Sequence, residues 1–210
     1  MGQPTQKVPI PTLERMATYL ACLFELDAKG VTTISSAEME QFTHINAAQF
    51  RKDLSYFGEF GRPGIGYSVP ELTSRISKIL KVDREQPVIL VGAGNLGSAL
   101  VGYPSLVREN FRIAAVFDNN PAKVGAMLWD QKVRDVSSLV EVNTREVHAR
   151  IGIIAVPAEA AQAVADALVE SGVVAILNFA PVSLIVPPEV AVRKVDLVQE
   201  LAVLAYHLPV

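Results

Sequence analysis

The sequence predicts an α/β protein in two modules, and three observations carry that expectation. Residues up to about 80 read as successive amphipathic helices with capping signals. From residue 88 onward short apolar runs alternate with helical stretches, which implies right-handed βαβ units and a parallel sheet; a glycine motif stands between the first such run and the helix after it. At 210 residues the chain is long enough for one large domain or two small ones. Half of its residues are hydrophobic and 20% are charged, which supplies a core and excludes disorder of the low-hydrophobicity kind.

In the first module Leu13, Met16, Leu20, Leu23 and Phe24 recur at helical spacing, and Lys29-Gly30 closes the helix with a cation and a glycine stop. Ser35 and Glu38 form an S-x-x-E capping box with Ile34 and Met39 placed as a hydrophobic staple, so a short second helix covers about 36–42. The same grammar returns eleven residues on: Asn46 caps, Gln49 takes the third helical position, and Ile45 with Phe50 repeats the staple. A third helix starting near Ala47, after a turn of about four residues, makes a helix-turn-helix. Phe50, Leu54 and Phe57 seat that helix, while Ala48, Arg51, Lys52, Ser55 and Tyr56 point away. Residues 58–67, with four glycines and the aromatics Phe60 and Tyr67, read as a glycine-turned β-hairpin. Three helices followed by a hairpin are a winged helix. One more helix, over 68–81, carries Leu72, Ile76 and Ile79 in register, and the polar run 81–86 ends the module.

Beyond it, strands are expected at 88–91, 111–117, 151–156, 173–177 and 190–195, with an alanine-rich helix over 159–171 closed by Gly172. The last stretch puts Leu197, Leu201, Leu204 and Leu208 on one stripe, and Val198, Ala202, Val203 and Ala205 leave little polar face. A helix apolar nearly all round requires cover, and at a chain end the expected cover is a second subunit. The resulting division is a winged-helix domain over 1–83, a Rossmann-type doubly wound parallel sheet over 84–195, and a C-terminal dimerisation helix over 196–210.

Mean hydropathy is positive, +0.29, yet the longest nearly apolar stretch, 151–158, has eight residues and includes Gly152 and Pro157, far short of the roughly 20 that span a bilayer. No membrane span and no secretory signal are expected. The single cysteine, Cys22, cannot form an intramolecular disulfide, which fits a reducing cytoplasm.

Gly92-Ala93-Gly94-Asn95-Leu96-Gly97 is G-x-G-x-x-G, a weak pattern alone. Here it follows a strand, opens a helix, and is followed 21 positions after Gly97 by Asp118 at the end of the next strand, so every required context is met. The first glycine permits the tight turn, the second lets the backbone approach a pyrophosphate, and the third allows close helix packing. Asp118 is suited to accept from an adenosine ribose, and its charge repels a 2′-phosphate, which favours NAD(H) over NADP(H). Val156-Pro157 and Asn178-Phe179-Ala180-Pro181 lie at the carboxyl edge of the sheet, where their apolar and amide character suits a nicotinamide ring. No proton donor stands beside them: His44, His148 and His207 all fall away from strand carboxyl ends, and no length remains for a substrate domain. Neither catalytic residues nor a metal are expected.

The residues assigned to DNA are Ser35, Ser36, Ala48, Gln49, Arg51, Lys52, Ser55 and Tyr56, with Gly61, Arg62 and Gly64 on the wing. Arg51 and Lys52 suit guanine or phosphate contacts from a recognition helix, and Arg62 an adjacent groove. The net charge of −3 and pI near 5.7 speak against a protein built mainly to hold nucleic acid. That balance lies after residue 80, where 14 acidic side chains face 11 basic ones, against 8 and 8 before it.

These pieces, in this order, resemble the Rex family of bacterial redox-sensing transcriptional repressors. The resemblance runs over nearly all of 10–208, and its most specific parts are 34–36, 51–58 with the wing to Tyr67, 91–97, 117–118, 156–161 and 178–181. It implies a homodimer whose C-terminal helices swap between subunits, NAD(H) in each Rossmann domain, and two winged helices on an inverted-repeat operator. NADH then closes the dimer and releases DNA, while NAD+ competes and permits repression. It also implies a polar latch in which Tyr103 and the partner's Asp196 meet an arginine of the first helix; here that arginine position is Ala21, with Arg15 nearly two turns away. Two other readings remain from the residues alone: a small NAD-dependent oxidoreductase with a helical appendage, and a nucleotide module akin to CoA-binding Rossmann domains.

Overall fold

In the computed structural model, which describes residues 8–61 and 65–208, the chain divides after Arg84 into two units with separate cores. The first unit begins with α1 (Ile10–Ala28), where Pro11 costs no hydrogen bond because first-turn N–H groups lack intrahelical acceptors. After β1 (Thr33–Ile34), α2 (Ser36–Thr43) starts from the expected capping box: Glu38 N–H donates to Ser35 Oγ at 3.1 Å, and Ser35 N–H to Glu38 Oε2 at 2.7 Å. His44 ends α2 in the left-handed region, φ 58°, and α3 (Ala47–Ser55) is capped by Asn46, whose Oδ1 accepts from Ala48 N–H at 2.8 Å. Strand β2 (Tyr67–Ser68) leads into α4 (Val69–Ile79). Met16, Leu23, Met39, Phe50 and Ile76 form the core, with Phe50 edge-on between Tyr19 and Tyr67. Each large side chain so buried contributes roughly 1.5–3 kcal/mol.

The wing differs from the expected hairpin. Residues 58–61 are not strand, and β2 instead pairs antiparallel with β1, Ile34 opposite Tyr67. Gly66 explains the pairing: at φ 93° its backbone passes so close to β1 that a Cβ would stand 2.7 Å from Ile34 O, so only glycine admits this approach. The predicted wing residues Arg62 and Gly64 lie outside the described residues.

The second unit runs β3 (Gln86–Val91), α5 (Asn95–Val101), α6 (Pro104–Arg108), β4 (Phe111–Asp118), β5 (Met127–Leu128), β6 (Gln131–Asp135), α7 (Leu139–Val142), β7 (Ile151–Ile154), α8 (Ala158–Glu170), β8 (Ala175–Asn178), β9 (Ala191–Lys194) and α9 (Leu197–Ala205). The sheet order is β5-β6-β4-β3-β7-β8-β9, parallel except for β5 against β6. Strand residues alternate between two cores: Ile89, Val91, Phe117 and Ile154 pack with Val164 and Leu168 of α8 on one face, and Val88, Leu90, Val116 and Ile153 with Leu100 on the other. Both faces are covered, as a doubly wound sheet requires, and strand order reverses between β3 and β7, the switch point where such sheets bind ligands. Strands β5 and β6 are additional to the five expected, because β6 buries only Val133 and so carries little apolar signal. Helix α9 buries none of its residues: Leu197, Leu201 and Leu204, with Leu208 just beyond its end, are 61–70% exposed.

Candidate dinucleotide pocket and nucleic-acid interface

At the switch point the carboxyl ends of β3, β4 and β7 and the inner face of α8 enclose a cavity of about 650 Å³. Gly92, Gly94, Asp118, Val156 and Pro157, all expected at a cofactor, line it. The three motif glycines are distinct. At Gly92, φ 107°, a side chain would collide with the Ala155 carbonyl of β7's end, and at Gly97 with the Gly92 carbonyl, so both hold the turn shut. A Cβ on Gly94 would meet nothing within 4 Å; the space over it is open, as a glycine left bare for an approaching phosphate requires. Gly94→Val is therefore expected to fold with an unchanged thermal midpoint, its φ of −83° and ψ of −167° suiting any residue, and to lose dinucleotide binding by about 100-fold or more. Thermal melting beside an NADH fluorescence titration checks both halves.

Asp118 does more than the sequence suggests. Its Oδ2 accepts from Ala93 N–H at 2.7 Å, its Oδ1 from Asn120 N–H at 2.8 Å, and the Lys123 ammonium stands 3.3 Å from Oδ2. Burial pushes this carboxyl up, but the Asn120 and Ala93 N–H groups and Lys123 outweigh it and hold the acid below its ordinary range. Asp118 thus clamps the glycine loop to β4 while facing the cavity.

The other cofactor candidates are placed differently. Asn95 and Leu96 start α5 and, like the buried Ala93, do not line the cavity. Asn178 is fully buried and ties its own turn, accepting from Ala180 N–H and donating to Val182 O, both at 2.9 Å, and it does not line the cavity. Phe179 packs into the second sheet core, Ala180 is buried, and Pro181 is exposed. This turn nevertheless sits at the cavity's sheet edge, since Phe179 N–H donates to Ile154 O of β7 at 2.9 Å. Tyr103 is exposed at the start of α6. Asp196 accepts from Val198 and Gln199 N–H as the cap of α9 and pairs with Lys194 at 2.9 Å.

On the first unit, α3 presents Ala48, Arg51, Lys52 and Ser55 to solvent, with Tyr56 half-buried. Arg51 Nη1 donates to Ser36 Oγ at 2.7 Å, which brings two predicted DNA residues from α2 and α3 together and fixes the guanidinium. Ser35 is spent on its capping box, and Gly61, φ 73°, is exposed at the turn beneath Tyr67. Gln49 departs from expectation: rather than capping or facing outward it donates to Asp53 Oδ1 at 2.9 Å, because Asp53 lies one turn on along the inner face.

Asp53 is the residue sequence reasoning missed. Fully buried, it accepts from Arg15 Nε at 2.6 Å and Nη2 at 2.7 Å, from Tyr19 OH at 2.9 Å and from Thr12 Oγ1 at 3.2 Å, tying α1 to α3. An acid between Phe50 and Leu54, on the seating face of a helix, is the signal that marks it. The bidentate pair also engages Arg15, two of whose guanidinium nitrogens donate to Asp53. Among the described residues no group of three or more His, Cys, Asp or Glu could hold a metal, and no helix is long and apolar enough to cross a membrane.

A helix-turn-helix unit joined to an α/β unit with a glycine-lined nucleotide cavity defines the class: a DNA-binding regulator with a nucleotide-sensing domain. Residues 7–55 match the sequence family described as putative DNA-binding protein N-terminus, and residues 83–182 the CoA binding domain. The redox-sensing transcriptional repressor Rex of Desulforamulus reducens is 46% identical over 96% of both chains, and that of Carboxydothermus hydrogenoformans 47% identical over 96% of this chain and 97% of its own. The crystal structure of the Rex-family repressor RSP in complex with β-NAD+ and operator DNA superposes with a TM-score of 0.89 at 38% identity, over 95% of this chain and 91% of that one. RSP in complex with β-NADH gives 0.86 at 36% identity, over 96% and 94%. The chain belongs to the Rex family of redox-sensing transcriptional repressors and is a regulator rather than an enzyme.

Proposed function

We propose that this chain is a repressor that reads the NADH/NAD+ ratio, holding operator DNA and leaving it when NADH fills the cavity. The observation that carries the reading is the joining, in one chain, of an exposed cationic helix face to a glycine-lined cavity closed by an acidic strand end. RSP complexes with NAD+ and operator DNA and with NADH support both halves. The cofactor lies along Gly92 to Gly97 with its adenosine ribose at Asp118 and its nicotinamide toward Val156, Pro157 and the 178–181 turn. Operator contacts come from Ser36, Ala48, Arg51, Lys52, Ser55 and Tyr56, flanked by Ser35 and Gln49 and by the wing residues Gly61, Arg62 and Gly64.

An inverted-repeat operator calls for a homodimer, and the uncovered apolar α9 supports one built by exchange of C-terminal helices. Such a regulator, with a single cysteine, suits the reducing cytoplasm. The coupling is linkage: a nucleotide shifts the dimer toward the shape it binds more tightly, and only by its differential affinity. Tyr103 and the partner's Asp196 are assigned to the closed latch, and Ala21 stands at the position where the family resemblance calls for an arginine.

Fluorescence anisotropy of labelled operator during titration with NADH against NAD+ tests the reading. Release by NADH at concentrations where NAD+ leaves DNA bound is expected; equal effects of the two, or tighter binding of CoA than of NADH, would sink it. Lys52→Ala is expected to weaken operator binding about tenfold or more and to reduce its salt dependence, with NADH affinity unchanged. A parallel fall in both affinities would contradict the division of labour between the two units.

A further inference from the structure

The cavity wall at the end of β4 holds a charged pair, Asp118 with Lys123, whose cation has no part in the function proposed for the cavity. An ionised carboxylate offers about four lone-pair positions. At Asp118 the N–H groups of Ala93 and Asn120 and the Lys123 ammonium engage three of them, which leaves about one for a ribose hydroxyl. The negative charge such a ligand meets is also offset by the cation 3.3 Å away. Lys123 lines the same cavity and is 39% exposed, so its ammonium has room to move. Its backbone does not: Lys123 N–H donates to Asn120 O at 2.9 Å, and Asn120 Oδ1 accepts from Ala122 N–H at 3.0 Å, in a turn that starts at Asp118 itself. A fixed Cα with a flexible four-carbon stem brings a compact cation to one corner of the cavity, free to pivot between the Asp118 carboxylate and a ligand group beside it.

We infer that Lys123 is a coenzyme-specificity residue: paired with Asp118 it moderates the rejection of a 2′-phosphate, and once Asp118 loses its charge it turns the ribose corner toward NADPH. The inference rests on the cavity being the dinucleotide site. Asp118 alone would present a full negative charge to a 2′-phosphate; Asp118 with Lys123 presents a near-neutral pair; Lys123 without the Asp118 charge presents a cation.

Calorimetric titration of the full-length protein with NADH and with NADPH reads the outcome. Lys123→Ala is expected to lower NADPH affinity at least tenfold relative to wild type, with NADH affinity changed less than threefold. Asp118→Asn is expected to narrow the NADH/NADPH affinity ratio at least tenfold by gaining NADPH, and the double variant Asp118→Asn with Lys123→Ala to lose that gain. An NADH/NADPH ratio within twofold of wild type in Lys123→Ala, or a double variant that binds NADPH as Asp118→Asn does, overturns the assignment. Asp118→Asn replaces an acceptor of the glycine-loop clamp by a donor, so its thermal midpoint is followed; Lys123→Ala leaves the clamp intact and decides the matter where Asp118→Asn unfolds. Wild-type protein that bound neither nucleotide would overturn the dinucleotide reading of the cavity, and this assignment with it.

Discussion

Asp53→Ala is expected to unfold the N-terminal unit and abolish operator binding while NADH binding by the second unit persists. Its carboxylate is fully buried and accepts from four side chains on α1 and α3, two of its bonds from the Arg15 guanidinium. Removing the buried partner of such a pair costs up to about 3–5 kcal/mol, because the buried Tyr19 and Thr12 hydroxyls lose their acceptor without regaining water, while the partly exposed Arg15 regains some. A domain stabilised by about 5–15 kcal/mol in total loses a large part of its margin. Calorimetry of the variant should separate two transitions, with the earlier one abolished or moved down by tens of degrees and the later one still raised by NADH. A single transition at the wild-type temperature would count against the hub.

The same carboxylate makes the unit acid-sensitive. Burial alone pushes the Asp53 acid up, but hydrogen bonds from Arg15, Gln49 and Tyr19 outweigh it and hold the carboxyl below its ordinary range. A group whose folded pKa is depressed stabilises fully above its unfolded value, about 3.9 for aspartate, and that contribution disappears as pH falls through the folded value. The first transition should therefore drop as the solution is acidified below about pH 4, and Asp53→Asn should remove that part of the dependence.

Leu201→Glu combined with Leu204→Glu is expected to convert the proposed homodimer to monomer. Along α9 Leu197, Val198, Leu201, Val203 and Leu204 are 59–76% exposed, and Tyr206 and Leu208 just beyond it are exposed too, a contiguous apolar patch that requires cover. Fully burying a leucine contributes roughly 1.5–3 kcal/mol, and a carboxylate in its place must be desolvated without a partner. Two substitutions in one helix occur four times in an exchanged dimer, so dissociation should strengthen by at least about 10³-fold, at 1.4 kcal/mol per tenfold. Sedimentation should show the lower mass, and affinity for an inverted-repeat operator should fall because two half-sites no longer bind as one unit. A variant that sediments as wild type would remove α9 from the interface.

The sequence was most legible where its signals are local. The box of Ser35 with Glu38, the cap at Asn46, the apolar stripes of α1 and α4 and the glycine motif each act within about one helical turn, so neighbouring residues alone specify them. The order of the pieces is read directly from the chain, and the resemblance of that order to a known family supplied the repressor function. The candidate DNA face was readable from the helical period of α3, although its inward flank was not: Gln49 is drawn in by Asp53, itself held by α1 residues 34 to 41 positions away.

What the amino-acid order determined by itself was the two-module plan, the helix starts, the turn glycines and the acidic strand end. Tertiary structure alone decided that β2 pairs with β1 across the helix-turn-helix, that Asp118 clamps Ala93 and carries Lys123 beside it, and that Arg15 belongs to Asp53. It also decided which glycine of the motif faces open space. The physical reason is common to all four: propensity, caps and periodicity are summed over adjacent residues, whereas the partner of a buried charge and the clearance over a backbone depend on segments that meet only once the chain has folded.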